Sequence, residues 1–228
     1  MGKYVKNEVE YYYDSHPTAE DLMGETSIHA DLVHYLIEVL RWLFREQRCA
    51  IYENLNFYQT LNPKEYPVAP DIAVIKGVAH RHLRSWAIGK TGSAPHVVFE
   101  IASKETWHND LKEKPLKYAL MGIEEYFLYD PETPPHVKHM GSRLIGWRLN
   151  KARLAMEEML PDQEGRLWSQ RLESFLVADG AYLRLYENND QRRLTEAEAR
   201  EQNERLSEQK AQMLEKKLRS LGVNPDEL

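Results

Sequence analysis

Apolar residues recur at Leu32, Val33, Leu36, Ile37, Leu40, Leu43 and Phe44, the i, i+3, i+4, i+7 spacing of a helix with one buried face. The pattern predicts a helix over about 28–47. Thr26 or Ser27 can cap it, and Asp31 is expected in its first turn, where the helix dipole favours an acid. Ahead of it, residues 1–27 are polar and aromatic, with Tyr11-Tyr12-Tyr13 and Pro17, and read as an extended leader with turns. The period then changes. Residues 49–58 and 71–75 are rich in β-branched and aromatic side chains, which predicts strands, and Pro63 and Pro67 break the connection between them. Residues 76–94 hold three glycines and read as loop or irregular strand. Residues 96–102 (HVVFEIA) are almost continuously apolar, as in a central strand buried on both faces. A helix over 109–121 follows. Pro115 inside it implies a kink or a late start, and Gly122 ends it. Residues 125–129 are a further strand, closed by Asp130-Pro131.

Beyond Pro135 the strand candidates are shorter: 143–149, 153–159 and 166–170. They suggest an antiparallel extension ending near Tyr186. From Thr195 to Ser220 there is no Gly, Pro or aromatic residue. Ala199, Leu206 and Met213 are seven apart, and Leu214, Leu218 and Leu221 continue the stripe, so the segment reads as a helix with short, imperfect heptads. Thr195 with Glu198 offers a capping box, and Gly222 and Pro225 stop the helix. Such a helix either packs, solvated, on its own domain or dimerises as a coiled coil. The narrow stripe and the charged remaining faces favour the coiled coil. The expected architecture is a mixed α/β domain over residues 1–186 and a charged helical tail over 187–228.

The chain of 228 residues is 42% hydrophobic and 29% charged, which excludes wholesale disorder. No apolar run approaches the roughly 18–20 residues needed to span a bilayer. The N-terminus lacks the apolar stretch of a secretory signal and the Ser or Thr of a myristoylation site. The single cysteine, Cys49, excludes an intramolecular disulfide and a Cys-cluster zinc site. The expectation is a soluble cytoplasmic protein. Thirty basic against 36 acidic residues give a formal charge of −6, which argues against a protein that coats nucleic acid.

The chemistry-bearing residues are Asp71 after Pro70, Glu100 about thirty residues later, and Lys114. On the apolar strand Val97, Phe99 and Ile101 share one face, and Val98, Glu100 and Ala102 the other. An ionised carboxylate there is costly unless it is paired or bound to metal. Two carboxylates on neighbouring strands can hold a hard divalent cation such as Mg²⁺ through oxygen, with waters completing the shell. A nearby lysine can orient or help deprotonate a metal-bound water and stabilise charge on a phosphate. The plainer alternative is an Asp71 that bonds a turn and a Glu100 that pairs with Lys114 or Lys117. None of the nine histidines has the spacing of a zinc helix. The basic stretch His80-Arg81-His82, Arg84 and Lys90, with Trp86 interleaved, could contact phosphate and stack on a base; a solvated loop is the simpler reading.

The stretches APDIAVI and PHVVFEIASKETWHNDLKEKPLKYALMGIEEYFLYDPE resemble the Uma family of putative restriction endonucleases, within the PD-(D/E)XK nuclease superfamily. The matching positions are Pro70-Asp71, Glu100 with Ser103, Asp110-Leu111 with Lys114 and Tyr118, and Gly122 with Glu125-Tyr126 and Asp130. The early helix with His29 and the charged C-terminal helix are also similar. The resemblance implies a restriction-endonuclease-like mixed β-sheet core flanked by helices, with Mg²⁺ or Mn²⁺ held by Asp71 and Glu100. It implies metal-dependent phosphodiester hydrolysis in DNA, and a substrate contact at His29, with Ser103 and Lys104 as further candidates. The superfamily's lysine stands two residues after the glutamate, and here that position is Ala102. Lys114 is the residue expected to replace it, with Lys104 the other candidate. Two readings follow. One is a Mg²⁺-dependent endonuclease, a homodimer, with local and metal-dependent DNA contact. The other is an inactive nuclease fold kept for binding or oligomerisation.

Overall fold

A computed structural model describes residues 26–59, 67–137 and 142–221. The leader and the Gly222 and Pro225 stop lie outside these residues. Helix α1 (Ser27–Leu43) begins at Thr26, whose hydroxyl accepts the His29 amide at 3.2 Å. It ends earlier than the pattern suggests, because the apolar spacing stops at Phe44 and residues 45–48 are polar. Asp31 therefore lies just past the first turn. The buried stripe holds Leu32, Val33, Leu36, Ile37 and Leu40.

The chain then builds a six-stranded sheet in the order β1-β3-β5-β6-β7-β8. Its strands are β1 (Cys49–Glu53), β3 (Ile72–Lys76), β5 (Val97–Ile101), β6 (Glu125–Tyr129), β7 (Leu144–Asn150) and β8 (Ala155–Glu158). Only β5 and β6 run parallel; every other neighbouring pair is antiparallel. A parallel pair needs a crossover. Helices α2 (Trp107–Lys112) and α3 (Lys114–Met121) supply it.

Three local departures from the sequence pattern have clear causes. The expected strand over 49–58 is split, because Asn54 adopts a left-handed φ of 46°; the remainder forms β2 (Asn56–Tyr58). The segment 76–94 contains β4 (Ser85–Ala87), which pairs parallel with β2. The helix over 109–121 is two helices. Pro115 sits in the first turn of α3, where its missing N–H has no intrahelical partner to lose. Gly122, with φ 78°, caps α3 in the left-handed conformation.

The sheet divides the core in two. One face carries Val97, Phe99, Ile101 and Phe127, covered by α1 and by a three-stranded sheet of β9 (Leu167–Ser169), β10 (Ser174–Asp179) and β11 (Tyr182–Tyr186). The other carries Val98, Ala102, Tyr126, Leu128 and Ile145 with Tyr118 and Met121 of α3. The expected mixed sheet flanked by helices is thus present. The chain divides into two compact units, residues 1–193 and 194–228. In the second, α4 (Glu196–Ser220) opens on a complete capping box between Thr195 and Glu198. Among the described residues, no helix is long and apolar enough to cross a membrane.

Gly146 on β7 lies opposite Phe127. A Cβ there would sit 2.9 Å from both Leu167 Cδ1 and Phe127 Cε1, in a core with no slack. Gly146→Ala is expected to destabilise by about 1–3 kcal/mol. A urea-unfolding midpoint equal to wild type would refute this account of the packing.

Candidate active site

The sheet register brings two acids together. Ile72 of β3 pairs with Phe99 of β5. Continued by one residue, the register sets Asp71 opposite Glu100, where side-chain roots are about 5 Å apart. Asp71 is fixed there: its Oδ2 accepts the Ile101 amide at 2.6 Å. Its Oδ1 lies 3.4 Å from His29 Nε2, which α1 presents from its first turn.

The crossover helices bring the rest. Asp110, Lys114 and Tyr118 are spaced by four and face Glu100. Lys114 Nζ lies 2.8 Å from Glu100 Oε1 and 2.7 Å from Asp110 Oδ1. The Tyr118 hydroxyl donates to Glu100 Oε1. Beneath, Tyr126 of β6 donates to the Asp110 carbonyl at 2.8 Å and stacks on Trp147. Glu100 and Asp110 are buried, with side chains 3% and 1% exposed. Asp71 and Lys114 keep 20% and 19%, so the cluster meets solvent through these two.

Burial governs the proton affinities. It pushes the Glu100 carboxyl up to about 8, against the pull of the Lys114 ammonium and with the help of Asp71 and Asp110. Asp110 is raised for the same reason. Burial works against the Lys114 charge, but Glu100 and Asp110 outweigh it, and Lys114 holds its proton more tightly than an ordinary lysine. Burial, then Glu100, raises Tyr118 well above a free phenol. Near neutral pH the lysine is a fixed cation and the tyrosine a fixed donor.

Two carboxyls share one ammonium and Asp71 stands beside Glu100, so with Glu100 ionised the cluster holds an acidic excess that a divalent cation would offset. Among the described residues, no group of three or more His, Cys, Asp or Glu side chains is arranged to hold a metal by itself. An ion here would take Asp71 and Glu100 and fill its shell with water and substrate, a donor set that suits Mg²⁺.

The remaining candidates separate. His29 joins the cluster through Asp71. Ser103 closes a turn with Thr106, their hydroxyls 3.0 Å apart. Lys104 is exposed, beyond the end of β5. Asp110 and Tyr118 stand out in the structure as members of the site; their spacing from Lys114 was the available signal. Trp86 is not a base-stacking platform. It is buried against Phe57 and Tyr52, with its indole N–H on the Ser93 carbonyl, while Arg81, His82, Arg84 and Lys90 are exposed.

The Uma2 family model, described as "Putative restriction endonuclease", matches residues 5–212. Among solved structures, a crystal structure from Anabaena variabilis, described as a putative nuclease belonging to DUF820, is similar at 13% identity. The match covers 66% of this chain and 76% of that one, with a TM-score of 0.45. Among curated proteins no relative matches.

Lys114→Met leaves Glu100 and Asp110 without their cation and is expected to cost about 3–5 kcal/mol. With Lys114 present burial already holds the Glu100 carboxyl up to about 8, and losing the ammonium raises it further, so in the variant that proton stays on where the wild type releases it. The deficit therefore grows as pH rises from about 7 to about 9 and shrinks on acidification. Glu100→Gln, which keeps the acceptor for Tyr118 and Lys114, should stay within about 1 kcal/mol of wild type. Urea titrations at the two pH values check this; a pH-independent Lys114→Met deficit would count against the buried ion pairs.

Proposed function

This chain belongs to the Uma2 family, and from that premise we propose that it is a metal-dependent endonuclease hydrolysing phosphodiester bonds in DNA. The observation that carries the reading is the convergence of Asp71, Glu100 and Lys114 from two strands and a crossover helix. Ala102 leaves the usual lysine position empty, and Lys114 brings a cation to the same glutamate.

In this proposal Asp71 and Glu100 hold a Mg²⁺ or Mn²⁺ ion. That ion, when bound, would polarise the phosphate and make bound water more acidic. The other roles belong to the chain. Lys114 donates to a phosphate oxygen or to the attacking water and offsets charge built up in the transition state. It acts as a cation and not as a general base, because Asp110 and Glu100 keep it protonated. Asp110 maintains that charge, Tyr118 orients Glu100, and His29 and the Ile101 amide orient Asp71. His29 is also placed to contact substrate. Hydrolysis adds water across the P–O bond, and the leaving oxygen departs with a proton. With a net charge of −6, contact with DNA is local and metal-dependent. The same reading takes the protein as cytoplasmic and as a homodimer joined through α4.

Purified protein is expected to nick supercoiled DNA with Mg²⁺ or Mn²⁺ and not with EDTA. Asp71→Asn and Glu100→Gln should each lower the rate at least 100-fold while circular dichroism stays unchanged. Folded Asp71→Asn protein that nicks at the wild-type rate would exclude this site.

A further inference from the structure

Helix α4 is preformed. Its first turn is closed by the Thr195–Glu198 capping box, and Arg200–Glu196, Arg205–Glu201 and Arg219–Glu215 ion pairs link successive turns. Yet none of its 25 residues is buried. Leu206, Met213 and Leu214, with Leu221 at the C-cap, are between 46% and 73% exposed. Single helices normally depend on tertiary packing for stability.

The charge along α4 is segregated. Residues 196–208 hold five glutamates and two arginines, a net −3. Residues 209–220 hold one glutamate and four lysines or arginines, a net +3. The helix dipole accounts for acids in the first turn and bases in the last. It does not reach Glu204, Glu208 and Lys210 near the middle. These three, with Lys216 and Lys217, make no ion pair with any described residue.

We propose that α4 docks antiparallel on α4 of a second copy, about a two-fold axis near Gln209. A parallel alignment sets −3 against −3 and +3 against +3. The antiparallel one sets each half against its opposite and closes the Leu206, Met213 and Leu214 stripe against itself. This rests on the homodimer of the proposed function and not on its nuclease chemistry.

The test uses the full chain. Wild type should be a dimer by light scattering at micromolar concentration. Glu204→Lys with Glu208→Lys makes both halves positive and should raise the dimer dissociation constant at least tenfold. Adding Lys210→Glu, Lys216→Glu and Lys217→Glu restores opposite halves and should restore the dimer. For orientation, a spin label at Ala199→Cys on a Cys49→Ser background should give a pair distance of about 30 Å. A parallel pair would give about 10 Å. A monomeric wild type, a dimer indifferent to the charge reversal, or the short distance would each overturn the proposal. A dimer that passes these tests but cuts no DNA would leave this interface standing and sink only the nuclease reading.

Discussion

The site depends on one ammonium, that of Lys114. Glu100 and Asp110 are both out of water, and neither carboxyl would be tolerable there alone. Lys114 lies within 3 Å of both, which makes the two acids possible and fixes where the crossover helix must sit. The break between α2 and α3 belongs to the same constraint. Glu113 closes α2 and Pro115 starts α3, and the turn between them delivers Lys114 to the face of β5. Tyr118, one turn further on, adds a hydrogen bond to the same glutamate oxygen.

Backbone topology sets the other half of the geometry. Because β5 and β6 are parallel, the chain between them has to cross the sheet, and it crosses over the face that carries Glu100. Because β3 is antiparallel to β5, the residue preceding β3 falls beside Glu100. Asp71 is thereby placed by register and held by the Ile101 amide. Strand alternation sends Phe99 and Ile101 to the α1 side and leaves Glu100 on the other. A shift of one residue in either strand would separate the acids.

Much of this was legible in the sequence. The apolar run over 96–102 marked the central strand, and the glutamate inside it marked a buried acid in need of a partner. The period of α1 and the capping box of α4 were equally plain, because both rest on short-range physics. The sequence hid what depends on long-range pairing. The two-residue separation of β1 from β2 follows from the left-handed Asn54, which no periodicity announces. The pairing of β4 with β2, and the burial of Trp86 beneath a basic loop, follow from contacts across thirty residues. Asp110 was visible as a motif position but not as a member of the charge cluster, because Pro115 obscured the shared face of residues 110, 114 and 118.

The Asp71–Ile101 bond has a consequence for how such a protein diversifies. Register and a main-chain hydrogen bond hold the two acids in place. Within the intervening segment β4 is pinned to β2 and Trp86 is buried, so what can change there is the exposed charge at Arg81, His82 and Lys90. The geometry of the acids and the charge of that exposed stretch are thus written in separable parts of the chain.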